Sequence, residues 1–163
     1  MAATEFTYDG RDLVRSMTDP EGNVRTFDYD LAGNRIREGD PRGDWADTLM
    51  EYDGANRLIS VSYATGSEEE PGDRAITQRE HDGAGNVIRT IDPRGDEFAV
   101  SIDYNFRGQP LRITSPGGSE ESPIELVELY RYDLVGNLIE STDPRGDEYT
   151  TVTEFMPLVS LCL

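Results

Sequence analysis

Apolar and polar residues alternate at period two through much of this chain. Between residues 97 and 104, Phe98, Val100, Ile102 and Tyr104 fall on one side. Tyr149, Thr151, Thr153 and Phe155 alternate in the same way, and the stretch from Val24 to Tyr29 sets Phe27 beside Tyr29. Each such run is short and bounded by Gly, Pro, Asp or Asn, which predicts β-strands separated by tight turns. No segment carries helical spacing.

The strands repeat. With Tyr8, Tyr29, Tyr52, His81, Tyr104 and Tyr132 as position zero of six units, the fourteenth residue on is always glycine: Gly22, Gly43, Gly66, Gly95, Gly118 and Gly146. Asp-Pro leads into it at Asp19-Pro20, Asp40-Pro41, Asp92-Pro93 and Asp143-Pro144, Ser115-Pro116 in the fifth unit, and Tyr63-Ala64 in the third. Offset four holds Gly33, Gly85, Gly108 and Gly136, with Asn56 and Asp12 in the remaining units. Asn and Asp tolerate left-handed backbone angles better than other non-glycine residues, so this position is expected to need a positive φ. Offset seven carries Ile36, Ile59, Ile88, Leu111 or Ile139 in the later units. In Asp-Pro-x-Gly, proline presets the first turn angle, the Asp side chain can bond back to the backbone, and glycine takes the left-handed exit. Each unit therefore reads as a β-hairpin, joined to the next through a Tyr-Asp-x-x-Gly turn.

A longer period lies above the short one, because DPRGD recurs at 40–44, 92–96 and 143–147. Alternate units carry the insertions GSEEEPGDRAITQRE and GGSEESPIELVELYR, whose Glu- and Gly-rich beginnings read as longer hairpin loops on one edge of the array. Six repeats thus fill residues 4–155, a seventh opens at Phe155 and fails, and residues 156–163 form an off-pattern tail. The expected fold is all-β: tandem hairpins in one long, curved, twisted antiparallel sheet. A stack of this kind leaves strand edges open at both ends, at Thr4–Tyr8 and Tyr149–Phe155, so neighbouring repeats of a larger protein or a second copy are the expected partners.

Composition sharpens this. Hydrophobic residues make up 36%, below the roughly 45–50% apolar content of ordinary domains, so a conventional core is not expected. A net charge of −18 repels phosphates and anionic lipid, which argues against nucleic acid and membrane partners. No apolar run approaches the length of a membrane span. The opening MAATEFTYDG has neither a basic nor an apolar leader region, so no secretion signal is expected in it. Cys162 is the single cysteine, which excludes an intrachain disulfide.

TFDYDLAGNRIREGDPRGD, DGAGNVIRTIDPRGDEF and LYRYDLVGNLIESTDPRGDEY resemble the YD repeat, also called the Rhs repeat. That family includes polymorphic Rhs toxins, the shell-forming C components of insecticidal toxin complexes, wall-associated proteins and teneurins. The resemblance implies a spiral sheet that closes into a hollow shell, often around a toxin cargo, in a secreted or cell-surface protein. Six repeats are fewer than such a shell uses, which suggests a piece of a larger protein. Nothing after Tyr149 resembles the self-cleaving core of Rhs toxins, so no catalytic residue is carried over.

Candidate chemistry is sparse. RGD occurs at 42–44, 94–96 and 145–147, but glycine is already fixed there by the repeat, so an integrin-binding role is not expected. Asp28, Asp30 and Asn34, or Glu68 to Glu70, could offer oxygens to calcium, yet none follows a calcium-loop spacing, and Asp at offset one has a turn-building use. His81, the single histidine, occupies a tyrosine slot where a ring is expected to pack. Trp45 could stack on a sugar, with packing between strands the expected alternative. No cofactor, metal or enzymatic activity is expected. The leading expectation is a structural segment of a shell; the alternative is an adhesion or glycan-binding module using the long-loop edge, with Trp45 or Tyr63 as contacts.

Overall fold

The computed structural model describes residues 3–70, 72–119, 122–145 and 149–153. Thirteen strands follow one another in chain order in a single antiparallel sheet, β1 and β13 being its terminal strands. They are β1 Glu5–Tyr8, β2 Val14–Thr18, β3 Val24–Tyr29, β4 Arg35–Gly39, β5 Thr48–Tyr52, β6 Leu58–Tyr63, β7 Ala75–His81, β8 Val87–Asp92, β9 Gly95–Tyr104, β10 Pro110–Ser119, β11 Ser122–Tyr132, β12 Leu138–Thr142 and β13 Thr151–Val152. Two compact units divide the chain, one of residues up to 80 with 91–95, the other of residues 81–90 with 96 onward.

In the first unit, β1 to β6 are successive antiparallel neighbours, with pairs such as Phe6↔Met17, Thr26↔Gly39 and Met50↔Val61. The register slips at Thr7/Tyr8, Asp28/Tyr29 and Glu51/Tyr52, so a β-bulge accompanies every position-zero tyrosine of this unit. Bulges increase local twist and end the pairing where the turn begins. A short 3-10 turn, Asp44–Ala46, carries the chain from β4 to β5. Among the described residues only Gly39, Ala46, Asp47 and Met50 are buried, at the end of β4, in this turn or just after it. The low apolar fraction has its counterpart here: most side chains are half-buried on the sheet faces.

In the second unit, β9 pairs with β10, β10 with β11, β11 with β12 and β12 with β13. The second insertion departs from the sequence expectation. It is not a long loop: β10 and β11 run on, paired from Arg112↔Leu129 out to Ser119↔Ser122, giving strands of 10 and 11 residues. Alternating Ile124, Leu126 and the β-branched Val127 hold the extension in sheet pairing, outweighing the Gly/Ser/Glu bias of its tip. The first insertion does loop between β6 and β7, closed by the Gly72 amide bonding the Thr65 carbonyl at 2.7 Å. The last expected strand is also shorter: β13 spans Thr151–Val152, Tyr149 precedes it, and Phe155, Gly146, Cys162 and the 156–163 tail lie outside the described residues.

Candidate functional site

The repeating chemistry of this chain sits in its turns. At offset one stands an Asp, or Asn105 in the fifth unit. In the second unit of the repeat, the Asp30 amide bonds the Asn34 carbonyl at 3.0 Å and the Gly33 amide bonds the Asp30 carbonyl at 3.2 Å. The Asp30 carboxylate then accepts the Asn34 backbone amide at 2.8 Å and its side-chain amide at 2.9 Å. Asp9, Asp53, Asp82, Asn105 and Asp133 repeat the backbone part of this arrangement, each accepting amides two and four residues on. Such Asx bonding satisfies turn amides that no strand can reach. The residue at offset four has positive φ in every unit: +92° at Gly33, +95° at Gly85, +74° at Gly108, +102° at Gly136, +61° at Asn56 and +62° at Asp12.

The Asp-Pro turns use the same geometry. Asp19 accepts the amides of Glu21 and Asn23 and the Asn23 side chain at 2.7 Å, and Gly22 has φ +90°. Gly43, Gly66, Gly95 and Gly118 likewise have φ of +120°, +91°, +134° and +76°. Where the turn reads Asp-Pro-Arg-Gly, the arginine folds back on the aspartate: Arg42 on Asp40, Arg94 on Asp92 and Arg145 on Asp143, each giving two side-chain bonds of 2.7–3.2 Å. The Arg42 guanidinium also lies 5.3 Å from the Trp45 ring centre and that of Arg145 4.1 Å from Tyr149. Trp45 Nε1 donates to the Arg42 carbonyl at 3.2 Å, so its ring packs on its own turn rather than between strands. The first two RGD stretches have both charges engaged, since Asp44 pairs with Arg37 and Asp96 with Arg89.

Position zero does more than pack. The hydroxyl of Tyr29 donates to the Val14 carbonyl at 3.0 Å, that of Tyr52 to Arg35 at 3.1 Å, and that of Tyr104 to Val87 at 3.1 Å. The acceptor is offset six of the preceding repeat each time, so the ring ties one hairpin to the next. Pattern reading missed this bond, although the preference for Tyr over Phe was its signal. His81 fills the same slot, and its buried Nδ1 has no hydrogen-bond partner. Adjacent turns are stitched as well: Arg11 donates to the Asp30 carbonyl, Asn34 to Asn56, and Gln109 to the Gly136 carbonyl.

Below these turns in the first unit lies a buried polar network. Asp47, 4% exposed, accepts the Asp40 amide at 2.9 Å and Arg37 Nε at 2.5 Å, while its carbonyl accepts Arg74. Arg37 also reaches Asp28 and Asp44, and Arg74 bonds Ser62 twice. Of the calcium candidates, Asp28 is thus paired with arginine and Asp30 is filled by Asn34. Among the described residues no three His, Cys, Asp or Glu side chains are grouped to share a metal ion.

The turn carboxylates titrate low. Asp40 is held down to about 2 by its side-chain bonds to Arg42 and by the Arg42 amide. Asp53 and Asp143 lie at about 2 for the same kind of reason, through Arg57 and Arg145. Asp19, Asp30 and Asp82 are lowered chiefly by the asparagine four residues on. An aspartate in an unfolded chain titrates near ~3.9. Folded values below that make the ionised form favour the native state, so the stabilisation is complete above pH ~4 and lost as pH falls toward 2. Thermal melts followed by circular dichroism should therefore hold steady from neutrality to about pH 5 and drop steeply from pH 4 to 2. A melting temperature flat across that window would show that the turns do not carry this linkage.

Comparison with known proteins places this geometry. Residues 8–44, two successive hairpins with their Tyr-Asp and Asp-Pro turns, match the RHS Repeat family model. The chain is 29% identical over 130 residues to Teneurin-m of Drosophila melanogaster, covering 80% of this chain and 4% of that protein. Among solved structures, the sheet superimposes on TcdB2-TccC3 without its hypervariable C-terminal region with a TM-score of 0.55 at 19% identity. A TccC3 variant of the Photorhabdus luminescens Tc holotoxin pore gives 0.53 at 20%. Both cover 91% of this chain and 9% of the matched chain, so this chain spans a small fraction of the length of the proteins it matches.

Proposed function

We propose that this chain is a non-catalytic wall segment of an RHS shell, in a secreted or cell-surface protein whose shell encloses or presents a toxin. The observation that supports it most is the tie between hairpins: the hydroxyls of Tyr29, Tyr52 and Tyr104 each bond the preceding repeat, and neighbouring turns bond each other, while only Gly39, Ala46, Asp47 and Met50 are buried among the described residues. Repeats built this way are stable through their neighbours rather than through a private core, which suits a continuous wall. Similarity to TccC3-containing structures over 91% of the chain supports the same reading. The glycine and Asx turn positions and the position-zero rings are, in this proposal, the wall's fasteners. The adhesive alternative draws less support, because the first two RGD stretches are neutralised internally and Trp45 is covered by Arg42.

The test is to express the complete reading frame that contains this chain and image it by electron microscopy, with limited proteolysis alongside. A closed hollow β-sheet particle, whose enclosed segment resists protease until the wall is opened, is the expected result. An open array with no enclosed volume would overturn the proposal.

A further inference from the structure

In the second unit the sheet splits. The pairing of β9 with β10 runs from Tyr104↔Pro110 to Ser101↔Thr114 and ends there. Both strands continue: β9 reaches back to Gly95, and β10 runs on to Ser119. Extending the register would have set Val100 opposite Ser115 and Phe98 opposite Gly117. Instead a groove of about 640 Å³ opens between them, walled by β9 from Asp96 to Ser101 and by β10 from Thr114 to Gly117. The far side of β10 is taken by β11 out to Ser119↔Ser122, so its groove side is a strand edge inside a sheet. Pro116 sits on this stretch, and proline, lacking an amide hydrogen, is confined in sheets to such edges.

The register also sorts the groove chemically. Cross-strand partners share a face, so Phe98, Ile102, Ile113, Gly117 and Ile124 lie on one face, and Glu97, Pro116 and Glu125 on the other. Gly117 has no room for a side chain, because a Cβ would stand 2.7 Å from Leu126 Cγ; the apolar side chains of β11 lie across it. The two glutamates are exposed and, among the described residues, make no ion pair or hydrogen bond, whereas Asp96 is engaged by Arg89 at 2.6 Å.

We propose that this groove binds an extended peptide strand with alternating apolar and basic residues, inserted between β9 and β10. Its backbone would pair with the edge at Ser115–Ser119, its apolar side chains would join Phe98 and Ile124, and its basic side chains would meet Glu97 and Glu125. Strand addition of this kind draws affinity from main-chain hydrogen bonds and selectivity from the alternate side chains. The volume falls in the range of binding clefts, about 300–1,000 Å³. Five residues at ~3.3 Å each would span the free edge.

The full chain is titrated with a fluorescein-labelled octapeptide of alternating lysine and valine, read by anisotropy. Amide exchange of Gly118, which shares the groove-facing parity of Pro116, is followed in parallel. Binding is expected, with slowed exchange at that amide. It should weaken at least tenfold for a glutamate–valine peptide, for a lysine–valine peptide N-methylated at alternate residues, and for the Glu97→Gln/Glu125→Gln variant. No binding would overturn the proposal, and so would equal affinity of the N-methylated peptide, which would mean charge attraction alone. Binding that appears only after removal of residues 154–163 would assign the groove to the chain's own tail, and peptide binding that is lost as the chain dimerises in analytical ultracentrifugation would assign it to a second copy; either result refutes it.

Discussion

Replacing Asp47 with alanine is expected to destabilise the first unit by about 2–4 kcal/mol, the largest effect of any single polar substitution in the chain. The residue is 4% exposed and its two carboxylate oxygens are committed, one to the Asp40 amide and one to Arg37 Nε. Alanine would strand the half-buried Asp40 amide and remove the one buried partner of Arg37. The exposed partners Asp28 and Asp44 would remain, but pairs in open water are screened and worth little. Asp47→Asn keeps an acceptor for the Asp40 amide and loses the charge toward Arg37, so it should fall between wild type and alanine. Urea denaturation with an unchanged slope and a lowered midpoint is the measurement. A loss under about 1 kcal/mol for alanine would show that the network does not hold the 3-10 turn in place.

The contrast between this network and the turns explains what could be read from the sequence. Turn positions are local: Asp30, Gly33 and Asn34 meet because they are neighbours along the chain, so a fixed offset reports their geometry directly. Even the substitutes were legible, since Asp12 and Asn56 stand where the backbone has φ near +60°. Strand alternation was legible for the same reason, and with it the all-β sheet. Asp47 depends instead on Arg37 and on Arg74, which is 27 residues away, brought together only by the pairing of separate strands. No spacing rule announces such a contact.

One other misreading has a related cause. The Gly- and Ser-rich start of GGSEESPIELVELYR suggested a loop, but in a paired hairpin the following alternation of Ile124, Leu126 and Glu128 decides, and the two strands close at Ser119↔Ser122. There composition was weighed residue by residue where the partner strand settles the outcome. RGD was not expected to be a recognition signal, and its arginine is used at home, bonded twice to the aspartate two residues before it. The groove between β9 and β10 was illegible for a related reason: both strands are well patterned, and only the register shows that they part after Ser101 and Thr114.

Gly85 offers the sharpest test of the repeat grammar. Its φ is +95°, and a Cβ built on it would meet nothing within 4 Å, so a substitution there is opposed by backbone conformation and not by crowding. Gly85→Val is expected to cost about 2–3 kcal/mol, because a β-branched residue in the left-handed region clashes with its own carbonyl. Gly85→Asn should cost less than about 1 kcal/mol, since Asn56 occupies the equivalent position at φ +61° with its turn hydrogen bonds intact. Thermal melts should register this as a drop of roughly 4–12 °C for valine, at about 2–4 °C per kcal/mol in a chain of this size, and under about 4 °C for asparagine. Equal losses would mean that asparagine gains nothing from its tolerance of positive φ at this turn. A large loss for valine alone would mean that glycine is needed for the sign of φ, and that the Tyr-Asp turn, more than the apolar content of the strands, sets where each hairpin ends.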